Sequence, residues 1–344
     1  MQGARTTLRV AWPPAPPRAQ LHASQQHDHA QQPIPHGGVS APSYVLYRII
    51  GNDLIPRHAK GQSRQNLAFI LANEPRLSGC EKRFIVNRIV DPAEEQAILA
   101  LLEDAGMPYL RIPFEPAIYR QCDWAEVPHA FRPHSPRYRR LLPAEKMRVD
   151  LALYAEKNRY AMNNNGARNV ALEDGKTRAD YVLPWDGNCF VTARAWQEIT
   201  HDISQRPGCP YFITPMARVL ENHRLNANEF RPTAQEEPQI IFRHDAIERF
   251  NEAYVYGRRP KVELLWRLGV PGPWQHWPIE PWDESPRPLS PQGGEWAYAG
   301  WVARLFSGHK AQETVGNGAQ ARLEARQHAI KAFLDLLDEQ QHAR

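Results

Sequence analysis

Short apolar runs alternate with amphipathic segments along the chain from Tyr44 onward. The run YVLYRII is typical of a buried strand, and the segment GQSRQNLAFILANE that follows predicts a helix. Two further apolar runs, RFIVNRIV and MPYLRIPF, predict a second and a third strand. Because strands that alternate with helices are joined by right-handed crossovers, this order predicts an α/β fold with a mostly parallel, Rossmann-type sheet flanked by helices.

The helix between the second and third predicted strands has signals at both ends. Asp91 is the predicted N-cap and Pro92 the first helical residue, a position that suits the fixed backbone angle of proline. The apolar side chains that follow recur at three- and four-residue spacings, which places them on one face of the helix. Gly106 is expected to end it.

Composition divides the chain into four segments. Residues 1–42 are rich in Pro, Gln, His and Ala without a hydrophobic period, which predicts a disordered, low-complexity tail. Residues 43–277 form the predicted main domain, 278–296 a Pro- and Gly-rich loop, and 297–344 a C-terminal helical segment.

Composition and charge exclude several classes of protein. The 344 residues are 42% apolar but contain no apolar run of about 18 residues, the length that a membrane-spanning helix requires. The N-terminal residues lack the apolar core of a secretory signal, so a cytoplasmic protein is expected. The four cysteines form no CxxC pair, which argues against a zinc or redox motif. With 42 Lys+Arg against 38 Asp+Glu, the charge is too balanced for a dedicated nucleic-acid-binding protein.

Polar residues follow three of the predicted strands, at Gly51-Asn52-Asp53, at 87–91 and at Asp186-Gly187-Asn188. Ligand sites of open α/β sheets lie beyond the carboxyl ends of the strands, so these tips should share one edge. Asp91 and Asp53 could accept hydrogen bonds from the base or the ribose of a bound nucleotide. The alternatives are an ordinary turn at Asn52-Asp53 and an N-cap at Asp91.

The segment NNNGARNVALEDGKTRADYVLPWDGN combines a loop, a helix and a strand that ends in an acidic turn. Asparagines and a glycine suit a tight loop before a helix, whose free N–H groups attract anions. Arg168 offers a planar fork for phosphate or for a carboxylate that orders the site, and Asp186 is suited to hold a metal ion. The structural alternative is that Asn165 caps the helix, Arg168 forms a surface ion pair and Asp186 begins a turn.

The order of residues in this segment resembles the central signature of GT-A glycosyltransferases, especially the large family of inverting enzymes. In that family, Ala-Arg-Asn opens a helix and the following strand ends in an Asp-x-Asp metal motif, which corresponds here to Asp186-Gly187-Asn188. The resemblance implies a GT-A-like fold with a C-terminal mixed region on the acceptor side and a terminal helix. It also implies transfer of a sugar from a nucleotide-diphosphate donor to a glycan or lipid-linked acceptor, assisted by Mn²⁺ or Mg²⁺.

The strand tips, the resemblance and a basic stretch near residue 260 together define the predicted donor and metal contacts. Asn188 stands where the family has a second carboxylate, and a neutral amide holds a divalent ion less firmly, which leaves the metal dependence open. The predicted metal ligands are Asp186, Asn188 and His244. The predicted donor-binding residues are Asn52, Asp53, Asp91, Arg168, Asn169, Asp186, Arg258, Arg259 and Lys261.

An inverting transfer also requires a base that deprotonates the acceptor hydroxyl. The segment AQEEPQIIFRHDAIERF offers Glu236 and Glu237 ahead of a predicted strand, with His244 and Asp245 after it. Glu237 is the predicted base, and Glu236 and Asp245 are further candidates. An exposed loop acid or an N-capping aspartate is the structural alternative for each.

Two other classes of function remain open from the sequence. A sugar nucleotidyltransferase would have a similar sheet, but the first strand is not followed by the Gly-rich phosphate loop that its chemistry needs. A non-catalytic carbohydrate-binding protein with a degenerate site is compatible with Asn188. A lipid-linked acceptor would bring the protein to the inner face of the membrane as a peripheral partner.

Overall fold

The computed structural model describes residues 41–226, 230, 233–234, 236–258, 260–276, 279–285, 287–306 and 318–342. Within these residues, nine strands form one sheet, and ten α-helices accompany it. The strands are β1 (Tyr44–Ile50), β2 (Cys80–Asn87), β3 (Tyr109–Ile112), β4 (Tyr181–Asp186), β5 (Cys189–Phe190), β6 (Tyr211–Arg218), β7 (Glu236–Arg243), β8 (Trp296–Tyr298) and β9 (Val302–Arg304). The helices are α1 (Gln62–Asn73), α2 (Pro92–Asp104), α3 (Pro116–Arg120), α4 (Pro136–Arg140), α5 (Pro143–Leu153), α6 (Ala155–Met162), α7 (Asn164–Gly175), α8 (Ala193–Ser204), α9 (Val262–Arg267) and α10 (Gly318–His342).

The sheet is mixed, with the order β3-β2-β1-β4-β7-β6-β9-β5 and with β8 also paired to β6. The strands from β3 to β4 are parallel, whereas β7 runs antiparallel to both β4 and β6. Two antiparallel strands can be connected by a short loop, whereas two parallel strands require a crossover connection, which is usually a helix. The predicted α/β class and flanking helices are confirmed, but the parallel order that the sequence predicts is continuous only across four strands.

Helices cover both faces of the sheet because alternate side chains of a strand point to opposite faces. Val45 and Tyr47 of β1 pack in a core with residues of α7 and α9. Tyr44 and Leu46 of the same strand pack in a second core with residues of α8. The central strands β1 and β4 are therefore buried on both sides, which explains their nearly continuous apolar sequences.

The C-terminal region differs from the helical segment predicted for 297–344. Residues 296–298 and 302–304 form β8 and β9, which extend the sheet beyond the predicted end of the main domain at residue 277. Strands of three residues are too short to show an alternating pattern, which is why the sequence did not reveal them.

The predicted terminal helix is present as α10 and packs on the main body. Its Ile330 and Leu334 are buried against residues of α3 and α6, and Lys157 of α6 forms an ion pair with Asp338 at 2.7 Å. The predicted tail lies outside the described residues up to residue 40. No helix in the described part of the chain is long and apolar enough to cross a membrane.

The strand tips singled out in the sequence lie at one edge of the sheet. In the parallel pairing of β1 with β4, Ile49 lies opposite Asp186, and in that of β1 with β2, Ile50 lies opposite Val86. The turn after β4 passes so close to β1 that a Cβ on Gly187 would lie 2.5 Å from the carbonyl oxygen of Ile49. Gly187 is thus required by the close approach of two backbones.

We expect Gly187→Ala to lower the free energy of unfolding by about 1–3 kcal/mol, the usual cost of overpacking, because neither backbone can yield without disturbing the sheet edge. Gly208→Ala is the matched control, since no atom lies within 4 Å of a Cβ built at that exposed glycine. Urea denaturation of both variants provides the measurement. Equal stability of the two would contradict the close approach at Gly187.

Candidate functional site

A cleft of about 290 Å³ lies at the carboxyl ends of β1 and β4. Asn52 and Asp53 line it after β1, and Asp186, Gly187 and Asn188 line it after β4. Side chains from β6, β7, β9 and α10 complete the wall, so the cleft extends from the parallel half of the sheet across its antiparallel strand.

Asp186 is surrounded by groups that neutralise its charge. Arg168 Nη2 donates to its Oδ1 at 2.6 Å, Gln239 Nε2 donates to its Oδ2 at 2.9 Å, and Lys261 Nζ lies 3.5 Å from Oδ2. About a third of the side chain faces the cleft, with 32% exposure. Burial acts to raise the pKa of Asp186, but the charges of Lys261 and Arg168 outweigh it and hold the pKa well below its usual range.

The two cations reach Asp186 because of local chain geometry. Asn163 takes a left-handed conformation, with φ of 44°, which ends α6 and starts α7 in a new direction. Arg168 then lies in the second turn of α7, where its Nη1 also donates to Asn165 at 2.9 Å. Lys261 directly precedes α9 and is buried to 3% exposure. The loop predicted for the asparagines and the glycine is instead the first turn of α7, with Asn163 and not Asn165 at the N-cap position, and this helix places an arginine against the strand-end carboxylate.

Glu236 and Glu237 begin β7 at the same edge but have different surroundings. Glu236 accepts two hydrogen bonds from Arg218, at 2.9 and 3.0 Å, and one from Arg304 at 3.1 Å. Burial opposes ionisation, yet these arginines lower the pKa of Glu236 to about 2. Glu237 is 40% exposed in the cleft wall and lies 3.4 Å from Lys261 Nζ. Only Glu237 is open to a ligand.

Three arginines and a tyrosine in the cleft wall were not predicted from the sequence. Arg57 lies in the loop after β1, Arg304 ends β9, and Arg326 lies on α10. Arg57 Nη1 donates to Tyr256 Oη at 2.8 Å. We call Arg57, Arg304, Arg326 and Tyr256 the arginine cluster. Its members come from four distant segments, so no local motif could have revealed it.

The charge of the arginine cluster is only partly balanced. Glu236, which Arg304 contacts, is shared with Arg218. In the described ranges, neither Arg57 nor Arg326 has a carboxylate within ion-pairing distance, and the Nε of Arg326 is buried without a hydrogen-bond partner. Burial acts to raise the pKa of Tyr256, but the charges of Arg57, Arg326 and Arg304 lower it below the ordinary value of 10.0.

The remaining predicted residues near β1 and β2 hold the strand tips in place. Asn52 bridges the chain after β2, donating to the carbonyl of Arg88 at 2.7 Å and accepting from the N–H of Val90 at 2.8 Å. Asp53 accepts from the N–H and the hydroxyl of Ser63 at 2.9 and 2.7 Å. Asp91 caps α2 and does not line the cleft, so the structure agrees with the alternative interpretation of Asp91 as an N-cap.

Two predicted donor contacts lie elsewhere. The buried amide of Asn169 holds the chain at Phe250 and Glu252, and it does not line the cleft. Arg258 forms an ion pair with Asp283 in the wall of a second cavity. Arg259 lies outside the described residues.

The structure does not bring His244 and Asp245 to the site. Because β7 is antiparallel to β4, its last residue, Arg243, lies opposite Tyr181, the first residue of β4. His244 follows there and donates its backbone N–H to Asp180 at 2.8 Å, and Asp245 pairs with Arg243 at 2.5 Å. Both residues therefore lie at the opposite end of the sheet from Asp186.

The residues around Asp186 do not fit Mn²⁺ or Mg²⁺. Both carboxylate oxygens are engaged by cations or amide donors, and His244, the third predicted ligand, is remote. Within the described ranges, no group of three or more His, Cys, Asp or Glu side chains is arranged to hold a metal ion. Hard divalent ions prefer several anionic oxygens, whereas here the carboxylate already faces two positive charges.

Comparison with known proteins identifies no family for this chain. The chain matches no model of a known protein family and no curated protein. The side chains of the cleft are therefore the basis for a functional proposal.

The lowered pKa of Tyr256 can be measured directly. We expect a spectrophotometric titration near 295 nm to show one tyrosine that ionises below pH 10, because the arginine cluster stabilises the phenolate. Tyr256→Phe should remove this component. Tyr254→Phe is the matched control, since burial and neighbouring acids raise the pKa of Tyr254 to about 12. A low-pH component that survives in Tyr256→Phe would contradict the assignment.

Proposed function

We propose that the protein is a glycosyltransferase that moves a sugar from a nucleotide-diphosphate donor to a hydroxyl of a glycan or lipid-linked acceptor. One observation carries the proposal. The cleft at the carboxyl ends of β1 and β4 combines an accessible carboxylate, Glu237, with the positive side chains of the arginine cluster. This combination suits a reaction in which a proton is removed on one side while an anion departs on the other.

The proposed reaction is a single displacement at the anomeric carbon. The acceptor oxygen forms a bond to that carbon, its proton passes to Glu237, and the bond between the carbon and the donor phosphate oxygen breaks. The electron pair of that bond leaves with the nucleoside diphosphate. Positive side chains in the cleft stabilise the charge that develops on the leaving group.

Glu237 is the best-placed base among the three acidic residues that the sequence suggested. Glu236 is held by Arg218 and Arg304, and its pKa of about 2 makes it a weak proton acceptor. Asp245 lies at the far end of β7. Asp186 takes a different role in the proposal, in which it positions Lys261 and Arg168 and does not contact the acceptor.

The tips of β1 and β2 are the proposed site of the nucleoside. Among the described residues, Asp53 uses its Oδ1 to accept from Ser63, which leaves its Oδ2 for a ribose hydroxyl. The amide of Asn52 is already committed to Arg88 and Val90, so its role is to fix the tip.

A panel of nucleoside diphosphate sugars tests the proposal. A donor that binds only the folded state should raise the melting temperature, and slow hydrolysis or transfer should release a nucleoside diphosphate. Formation of pyrophosphate from a nucleoside triphosphate and a sugar phosphate would indicate a nucleotidyltransferase instead. If no member of the panel raised the melting temperature or released diphosphate, the proposal would fail.

We expect Glu237→Gln to lower kcat by at least about a hundredfold, the scale of losing a general base, with little change in the KM for the donor. Asp245→Asn is the control, because it also removes one acidic charge next to β7 but at the opposite end of the sheet. Steady-state kinetics with the active donor provide the measurement. Parent-like turnover in Glu237→Gln would exclude Glu237 as the base.

A further inference from the structure

We propose that the arginine cluster is a binding site for a diphosphate or phosphate group and that it binds this group without a divalent metal ion. The inference applies to any phosphate-bearing ligand of the cleft. Its assignment to the leaving diphosphate of a sugar donor rests on the proposed function. It also gives α10 a part in the site, because this helix supplies Arg326.

The geometry of the cluster matches an oxyanion. All three arginines of the cluster line one cleft, and a guanidinium group is a planar fork of N–H donors that fits phosphate oxygens. Tyr256 holds Arg57 through a hydrogen bond of 2.8 Å, and Glu236 holds Arg304 at 3.1 Å. These contacts occupy one nitrogen of Arg57 and one of Arg304, so other donors of both guanidinium groups remain for a ligand.

The charge balance points in the same direction. Arg57 and Arg326 face each other's charge without a carboxylate partner in the described chain, and burial together with Arg326 and Arg304 lowers the pKa of Arg57. Like charges brought together in a partly buried site cost free energy, which a bound anion would recover.

The same residues explain why no metal ion is needed. A divalent ion bound to a diphosphate supplies two positive charges. The arginine cluster supplies three, and Glu236 partly neutralises the charge of Arg304. Lys261 lies in the same cleft but is committed to Asp186 and Glu237. The carboxylate that a metal ion would need, Asp186, is therefore occupied, while Arg57 and Arg326 have no carboxylate partner among the described residues.

Titration calorimetry with inorganic pyrophosphate in the presence of a chelator tests the site. We expect the full chain to bind pyrophosphate, and Arg57→Gln and Arg326→Gln each to weaken binding by at least about tenfold, since charge-assisted hydrogen bonds are lost. Both variants should fold, because each removes a repelling charge. Arg194→Gln is the charge-matched control, as Arg194 pairs with Glu198 on the surface of α8. Unchanged affinity in the two cluster variants, absence of binding by the parent, or binding only after addition of Mn²⁺ or Mg²⁺ would overturn the proposal.

Tyr256 offers a second readout that separates this site from other basic patches. A bound anion offsets the arginine charges, so saturating pyrophosphate should move the ionisation of Tyr256 to higher pH. The shift should be absent in Tyr256→Phe. Pyrophosphate that binds without moving this ionisation would bind elsewhere and would contradict the assignment.

The test also distinguishes the failure of this inference from that of the proposed function. Loss of pyrophosphate binding in Arg57→Gln, with no turnover of any sugar donor by the parent, would support the anion site and reject the transferase. Turnover of a sugar donor with parent-like donor KM in Arg57→Gln and Arg326→Gln would support the transferase and reject this site for its diphosphate.

Discussion

The charge of Asp186 is the constraint around which the cleft is organised. A carboxylate at the end of a buried strand must be compensated, and Arg168 of α7, Gln239 of β7 and Lys261 before α9 provide the compensation. These partners come from three different elements. Their convergence fixes α7 and α9 against the strand at which the sheet changes from parallel to antiparallel order. The positions of the neighbouring cleft residues follow from this arrangement.

The turn after Asp186 also positions residues on the other side of the cleft. Gly187 lets the turn pass close to β1, and the carbonyl of Asn188 accepts the N–H of Leu305 at 2.9 Å. Leu305 directly follows Arg304, so the turn also positions one member of the arginine cluster. The Asp-Gly-Asn sequence therefore links a half-buried ion pair, a close backbone approach and an arginine, and none of these roles requires a metal ion.

The first half of the fold could be predicted from the sequence because its signals are local. The apolar runs gave β1, β2 and β3, and the Asp91-Pro92 pair marked the start of α2. The three strand tips could be placed on one edge because parallel strands share their carboxyl ends. Asp186 and Arg168 were identified for the same reason, since strand, turn and helix follow one another within a single segment.

The rest of the site depends on information that no local pattern contains. His244 and Asp245 were assigned to the cleft because the direction of β7 could not be known, and its antiparallel orientation takes them to the far end. Arg57, Arg304 and Arg326 lie in a loop, a three-residue strand and a terminal helix that meet only in the folded chain. The sequence therefore indicated the carboxylate of the site and missed most of its positive charge.

A crystal structure of the protein with uridine or guanosine diphosphate and Mn²⁺, with data collected at the manganese absorption edge, tests the central claim most directly. The claim is that protein cations, and not a metal ion at Asp186, hold the phosphates of the ligand. The account predicts phosphate groups within hydrogen-bonding distance of Arg57, Arg304 and Arg326, with the ion pairs of Asp186 intact. An anomalous peak for manganese between Asp186 and the phosphates, or a nucleotide bound away from the arginine cluster, would contradict it.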